Sequence, residues 1–223
     1  MSFIDDLKTD QRTQILIGGI VFFAIAFPVY FSIAADGVEP FSADGPIGTY
    51  EVSGEYSYHV IASDSQYIDD GSTIEIIANS DAAGDEIKGK NLVGVRATLT
   101  YTDDETGGGP GCFGYQTADD QVSASLEYPE MIPTNGQVLS GESIAVEWHV
   151  SDLVGTTVSN MSESGIRMLL DGDGMGVGEH YLDISVEVVE GSGTTPCQTS
   201  DNGEEVAYTI ELISLEYEIT AVE

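Results

Sequence analysis

From Tyr50 onward, apolar and polar residues alternate with period two in one short run after another. Tyr50, Val52, Tyr56, Tyr58 and Val60 share one parity, while Glu51, Ser53, Glu55, Ser57 and His59 share the other. Successive side chains of a strand point to opposite faces, so this run predicts a half-buried β-strand with its Tyr and Val side inward. Ile74 and Ile76 mark a second strand, and Val93, Val95, Ala97, Leu99 and Tyr101 a third. Val122 to Tyr128, Ile144 to Val150 with Trp148 inward, Ile166 to Leu170, and Leu182 to Val188 repeat the pattern. Val206, Tyr208, Ile210 and Leu212 begin a last strand. There the phase changes, because Ile213, Leu215, Tyr217 and Ile219 carry the apolar set onward on the other parity. A β-bulge or a crossing between sheets near Leu212–Ser214 would produce that change. Residues 81–90 and 152–165 read as loop or at most one helical turn. The pattern predicts an all-β chain, an antiparallel β-sandwich of about eight strands over residues 49–223.

The segment before the alternation is of another kind. Residues 15–35, ILIGGIVFFAIAFPVYFSIAA, carry no charge. As a helix the run spans roughly 31 Å, against a bilayer core of about 30 Å. It predicts a single N-terminal transmembrane helix, kinked near Pro28, with residues 1–14 as a tail and 36–48 as a Gly/Pro/Asp-rich stalk. The tail holds Lys8 and Arg12 and the stalk holds no basic residue, which places the tail in the cytoplasm and the later domain outside. A cleaved signal peptide is the rival, with Ser32-Ile33-Ala34 as its cleavage site. The apolar run is longer than the roughly 7–15 residues of a signal core, and the tail is net acidic, so an uncleaved anchor is favoured. A pilin-like helix would want a processing site just before the run, and none is present. Gly18-Gly19 would permit close helix packing in the bilayer.

Charge narrows the partners. The chain has 39 acidic and 6 basic residues, a formal net charge of -33. All the acidic residues except Asp5, Asp6 and Asp10 lie beyond Ala35, where the only basic ones are Lys88, Lys90, Arg96 and Arg167. Such a surface repels nucleic acid and anionic headgroups and suits cations, basic partners or a salty medium that screens self-repulsion. Solubility in salt is the plainer of these readings, and it points to a halophilic or marine prokaryote, with an archaeon first. Cys112 and Cys197, both in Gly- and Thr-rich loop sequence beyond the apolar run, predict a disulfide outside the cell. Closing so long a loop would stabilise by roughly 4–5 kcal/mol in the chain-entropy model.

NLVGVRATLTYTDDETGGGPGCFGYQTADDQVSASLEY and YLDISVEVVEGSGTTPCQTSDNGEEVAYTIEL share one plan: strand, Gly-rich loop with Cys, acidic turn, strand. Two duplicated domains or one sandwich with two adjacent long hairpins would both give this echo, and the single sandwich is preferred. GEHYLDISVEVVE followed by SDNGEEVAYTIEL resembles the closing hairpin of immunoglobulin-like and jelly-roll surface domains. ATLTYTDD followed by DDQVSASLEYP is similar to the hairpin of the P-domain-like jelly rolls appended to secreted proteases. The resemblance implies an accessory or interaction module, and no functional residue carries over with it.

Asp171-Gly-Asp173-Gly matches the start of a Ca²⁺ loop, where closely spaced carboxylates meet a hard cation, but Met175 and Leu182 stand where the EF-hand pattern wants ligands. Asp171 and Asp173 are thus the candidate metal ligands, with solvated turn residues as the alternative. His59, His149 and His180 have no strand partner of metal-ligand spacing. No nucleophile elbow is present, and the carboxylates are too many to single out a catalytic pair. Asn160-Met161-Ser162 is an N-glycosylation sequon. Catalytic residues and cofactors are therefore expected to be none, apart from a possible Ca²⁺. The expected protein is a non-enzymatic, single-pass surface protein whose acidic sandwich makes structural or adhesive protein contacts. A Ca²⁺- or solute-binding accessory of a transporter or sensor, and a pilin-like filament subunit, are the alternatives.

Overall fold

The computed structural model describes residues 45–102, 106–108, 118–129, 131–189, 191 and 198–222, together with Phe23 and Phe27. The chain divides into two units, Met1–Gly45 and Pro46–Glu223. In the first, Phe23 and Phe27 are helical and one turn apart, with ring centroids at 5.3 Å. The rest of the predicted span at 15–35 lies outside the described residues, among which no helix is long and apolar enough to cross a membrane. Cys112 and Cys197 also lie outside them.

The second unit is a sandwich of antiparallel sheets. Its elements are β1 (Gly48–Asp69), β2 (Thr73–Asn79), β3 (Leu92–Thr100), β4 (Thr106–Gly108), β5 (Gln121–Glu127), β6 (Thr134–Gln137), β7 (Ser143–Glu147), β8 (Thr156–Met161), α1 (Glu163–Leu170), β9 (Glu179–Glu187), β10 (Gln198–Ser200) and β11 (Gly203–Ala221). A five-stranded sheet runs β7-β3-β11-β1-β8, a four-stranded sheet runs β2-β9-β5-β6, and β4 and β10 form a ribbon of their own. The first and last strands pair along nearly their whole lengths, from Tyr50↔Ala221 to Asp69↔Gly203.

Two apolar clusters hold this arrangement. The larger lies between the sheets and includes Val95, Ala97 and Leu99 of β3, Ile210 and Leu212 of β11, Val122 and Leu126 of β5, and Leu182 and Ile184 of β9. The smaller lies on the opposite face of the five-stranded sheet, where Ile166 and Leu170 of α1 cover Tyr50, Val52, Val93, Ile213 and Leu215. The expected β-bulge is present, the register shifting between Ile213 and Ser214, but the extra residue is not in β11 itself. β11 runs straight on, its even residues facing one cluster and its odd residues the other. The extra residues lie in the strands that flank it. Val60 pairs with Glu211 and Ala62 with Ile210, leaving Ile61 unpaired in β1. Leu92 pairs with Ser214 and Gly94 with Ile213, leaving Val93 unpaired in β3.

The same change of covered face corrects the reading of β1. Tyr58 and Val60, expected inside, are 45% and 48% exposed, while His59, expected outside, is buried. α1 covers the outer face only as far as Tyr56, and beyond that point the inner face is the buried one. His59 is satisfied there by a 2.9 Å hydrogen bond with Ser214 Oγ.

The short strand expected at Ile166–Leu170 is the helix α1. Ser162 caps it, its Oγ accepting from the Gly165 N–H at 3.1 Å, and Arg167 pairs with Glu163 one turn before it. Ile166 and Leu170 are four apart and fully buried, whereas Met168, which the alternation placed beside them, is 72% exposed. β8 was also missed within 152–165, and Ser80–Ile87 forms a 3-10 helix interrupted at Gly84.

The two sequence echoes are not hairpins, because β3 and β11 lie in one sheet and β5 and β9 in the other. Each pair bridges the sandwich. Their Gly-rich connections do run side by side, since β4 pairs with β10 through Gly108↔Gln198, Gly107↔Thr199 and Thr106↔Ser200.

Candidate contact face

The outer face of the five-stranded sheet is only half covered. Beyond α1 its cross-strand rows are exposed at Val60, Tyr58 and Glu147, half-buried at Ala145, Arg96 and Glu211 and buried at Gly94 and Ile213, and register decides what each row presents. One row is Ala145, Arg96, Glu211 and Val60; the next is Glu147, Gly94, Ile213 and Tyr58. The Arg96 Nε–H donates to Glu211 Oε2 at 2.8 Å, and the guanidinium lies 3.4 Å from the centre of the Tyr58 ring. Arg96 is thus fixed by a charge-assisted bond on one side and a cation–π contact on the other. Above it the hydroxyls of Ser143 and Thr98 meet at 2.7 Å, and those of Thr209 and Ser63 at 3.2 Å.

Beside Tyr58 lies an open cavity of about 330 Å³, lined by Tyr56, Tyr58, Glu147, Ser151, Asp152, Val154 and Ile213. Gly94 leaves a gap in the row between Glu147 and Tyr58, and Ile213 leans into it. A Cβ at residue 94 would stand 3.1 Å from Ile213 Cδ1 and 3.0 Å from the Val146 carbonyl. Tyr56 also lines the cavity. Its O–H is 2.9 Å from His149 Nε2, and His149 Nδ1 is 3.1 Å from the Val93 carbonyl. A carbonyl only accepts, so Nδ1 carries the proton and Nε2 accepts from Tyr56. Burial first, then the charges of Glu147 and Tyr58, raise the Tyr56 pKa above the usual phenol value.

The residues singled out from sequence lie elsewhere. Asp171 follows α1, and its Oδ1 accepts from the Tyr217 O–H at 2.6 Å. Burial and that carboxylate push the Tyr217 pKa up to about 12. Asp173 is exposed in a turn with φ 48°. Among the described residues, no three His, Cys, Asp or Glu side chains are grouped to hold a metal. The glycines of this segment have a packing role. A Cβ on Gly172 would stand 1.7 Å from the Leu92 carbonyl, and one on Gly176 would stand 2.8 Å from the Trp148 ring. The segment is pinned there by Asn91, whose Oδ1 accepts from the Gly172 N–H at 2.7 Å and whose Nδ2 donates to the Leu170 carbonyl at 3.0 Å.

Trp148 is partly buried, donates to the Leu92 carbonyl at 2.7 Å, and packs on Tyr128, which stacks in turn on His180. His180 is fully buried, with Nε2 3.1 Å from the Gly176 carbonyl and Nδ1 without a partner among the described residues. Burial lowers its pKa below the usual imidazole value. Asn160 is exposed at the end of β8, where Thr49 pairs with Ser159 and Gly48 with Met161, leaving Asn160 as the extra residue at φ 60°. Asn tolerates that left-handed conformation better than most residues. The face that gathers Tyr58, Arg96, Glu147 and Glu211 was not read from the sequence, although Arg96, one of so few cations, was the available signal.

No family model matches the chain, and no curated protein matches it. Among solved structures it is similar to TmCBM61, a carbohydrate-binding module in complex with β-1,4-galactotriose. Identity is 10% and the TM-score 0.23, over 78% of this chain and 92% of that one. At that score the likeness carries no argument about ligand or function.

Proposed function

We propose that this is a non-enzymatic, membrane-anchored surface protein whose acidic sandwich makes structural or adhesive protein contacts through the outer face of its five-stranded sheet. The observation that supports the reading is the set Tyr58, Arg96 and Glu211. It presents an aromatic ring and a guanidinium, held in place before any partner arrives, on the uncovered half of the sheet. Tyr and Arg dominate the energetics of protein interfaces, and side chains already fixed lose little entropy on binding. Residues 15–35 are the anchor in this reading, with the sandwich outside the cell. The formal charge of -33 suits a salty medium, where such a contact is short-ranged.

The test is site-specific photo-cross-linking in intact cells, from Val60 on the proposed face and from Ser125 on the outer side of the four-stranded sheet. A discrete protein adduct is expected from Val60 alone, and Arg96→Glu is expected to abolish it. No adduct from Val60, or equal adducts from both sites, overturns the contact reading. The anchor is tested separately. The chain should stay with membranes through carbonate washing, and protease applied to intact cells should remove the sandwich; release into the wash overturns it.

A further inference from the structure

The cavity beside Tyr58 has a lining that selects one kind of occupant. Two tyrosines, Tyr56 and Tyr58, and two carboxylates, Glu147 and Asp152, share it with the apolar Val154 and Ile213. Neither Glu147 nor Asp152 takes a hydrogen bond or an ion pair from the described residues, and no Lys, Arg or His lines the cavity. Arg96, the nearest cation on this face, is neutralised by Glu211 at 2.8 Å. The cavity is therefore net negative.

From this lining we infer that the cavity takes a lysine or arginine side chain of the protein partner; the inference rests on the contact reading above. Val154 and Ile213 suit the methylene stem, which long cationic side chains lay along apolar surface while the charged head stays near polar groups. The ring edges and faces of the two tyrosines, Ser151 Oγ and the two carboxylates suit the head. The contact of Arg96 with Tyr58 is an intramolecular instance of the same chemistry on the same ring. An anionic ligand would meet two carboxylates of its own sign, and an apolar one would strip water from them without return.

The experiment follows tyrosine ring resonances in the full-length chain, held in lipid nanodiscs, as small probes are added. Nα-acetyl-lysine methylamide and its arginine counterpart supply the cationic heads. The norleucine counterpart keeps the stem without the charge. Saturable shifts are expected at Tyr56 and Tyr58 with the cationic probes, at millimolar concentration, and none with norleucine. Glu147→Gln combined with Asp152→Asn is expected to weaken binding at least tenfold while leaving the melting temperature unchanged, since both side chains are exposed. Raising salt from 0.1 to 1 M should weaken it as well. An equal response to norleucine, an unchanged response in the double variant, or shifts of the same size at the remote Tyr181 overturns the inference. Loss of the Val60 adduct with probe binding retained overturns the contact reading, and with it the partner as the source of the cation. The adduct retained with no saturable probe binding overturns the cavity assignment alone.

Discussion

Leu212 and Ile213 are consecutive on β11, are both buried, and belong to different cores. Leu212 packs between the two sheets, and Ile213 packs beneath α1. A strand presents successive side chains to opposite faces, so two adjacent buried residues mark the place where the sheet is covered on both sides. That place is also where the bulges at Ile61 and Val93 flank β11.

Truncating these neighbours should loosen different parts of the molecule. Leu212→Ala and Ile213→Ala are each expected to cost about 2–4 kcal/mol. Hydrogen exchange separates them. Leu212→Ala should speed exchange in β5 and β9, while Ile213→Ala should speed it in α1 and leave β9 protected.

The glycines of the Asp171–Gly178 segment should differ sharply in tolerance. Gly172→Ala forces a Cβ onto the Leu92 carbonyl and should cost upward of about 2 kcal/mol, with a changed Trp148 emission. Gly174 has φ +80° but open space around it, so Gly174→Ala should cost only about 1 kcal/mol and leave the emission as it was. Urea denaturation with fluorescence detection compares the two.

Acid should destabilise the sandwich through His180. Burial lowers its folded pKa, so the unfolded chain takes up a proton near pH 6.5 that the folded chain refuses. Stability from this source is complete above about pH 6.5 and is lost as pH falls from there toward the folded pKa. His180→Gln is expected to lower stability at neutral pH and to flatten the fall below about pH 6.5. A fall as steep as in the wild type would exclude His180 as its source.

The entry to α1 offers two graded tests. Ser162→Ala removes the cap and should cost about 1 kcal/mol. Asn160 stands in the left-handed region, so Asn160→Gly should be neutral or slightly stabilising, and Asn160→Ala should cost about 1 kcal/mol. Thermal melts of the three variants decide the order.

Most strands were legible because alternation is a local signal. β2, β3, β5, β7, β9 and β11 fall where Ile74, Val95, Ala124, Val146, Ile184 and Ile210 mark them. α1 was misread because Ile166 and Leu170 satisfy strand parity as well as a four-residue helical spacing. Ser162, Glu163 and Arg167 were the capping and charge signals that separate the two. Beyond the cation Arg96 the contact face was not legible, since its residues run from Tyr58 to Ile213 and only register brings them into two rows.

The sequence by itself determined a β-rich acidic chain, because side-chain parity and charge are properties of the chain written in order. Which face of each strand is buried was decided by the tertiary structure. β11 and β1 carry apolar residues on both parities, and only the placement of α1 on one side and the four-stranded sheet on the other settles which are covered. That placement leaves Tyr58 and Val60 in solvent and puts His59 inside.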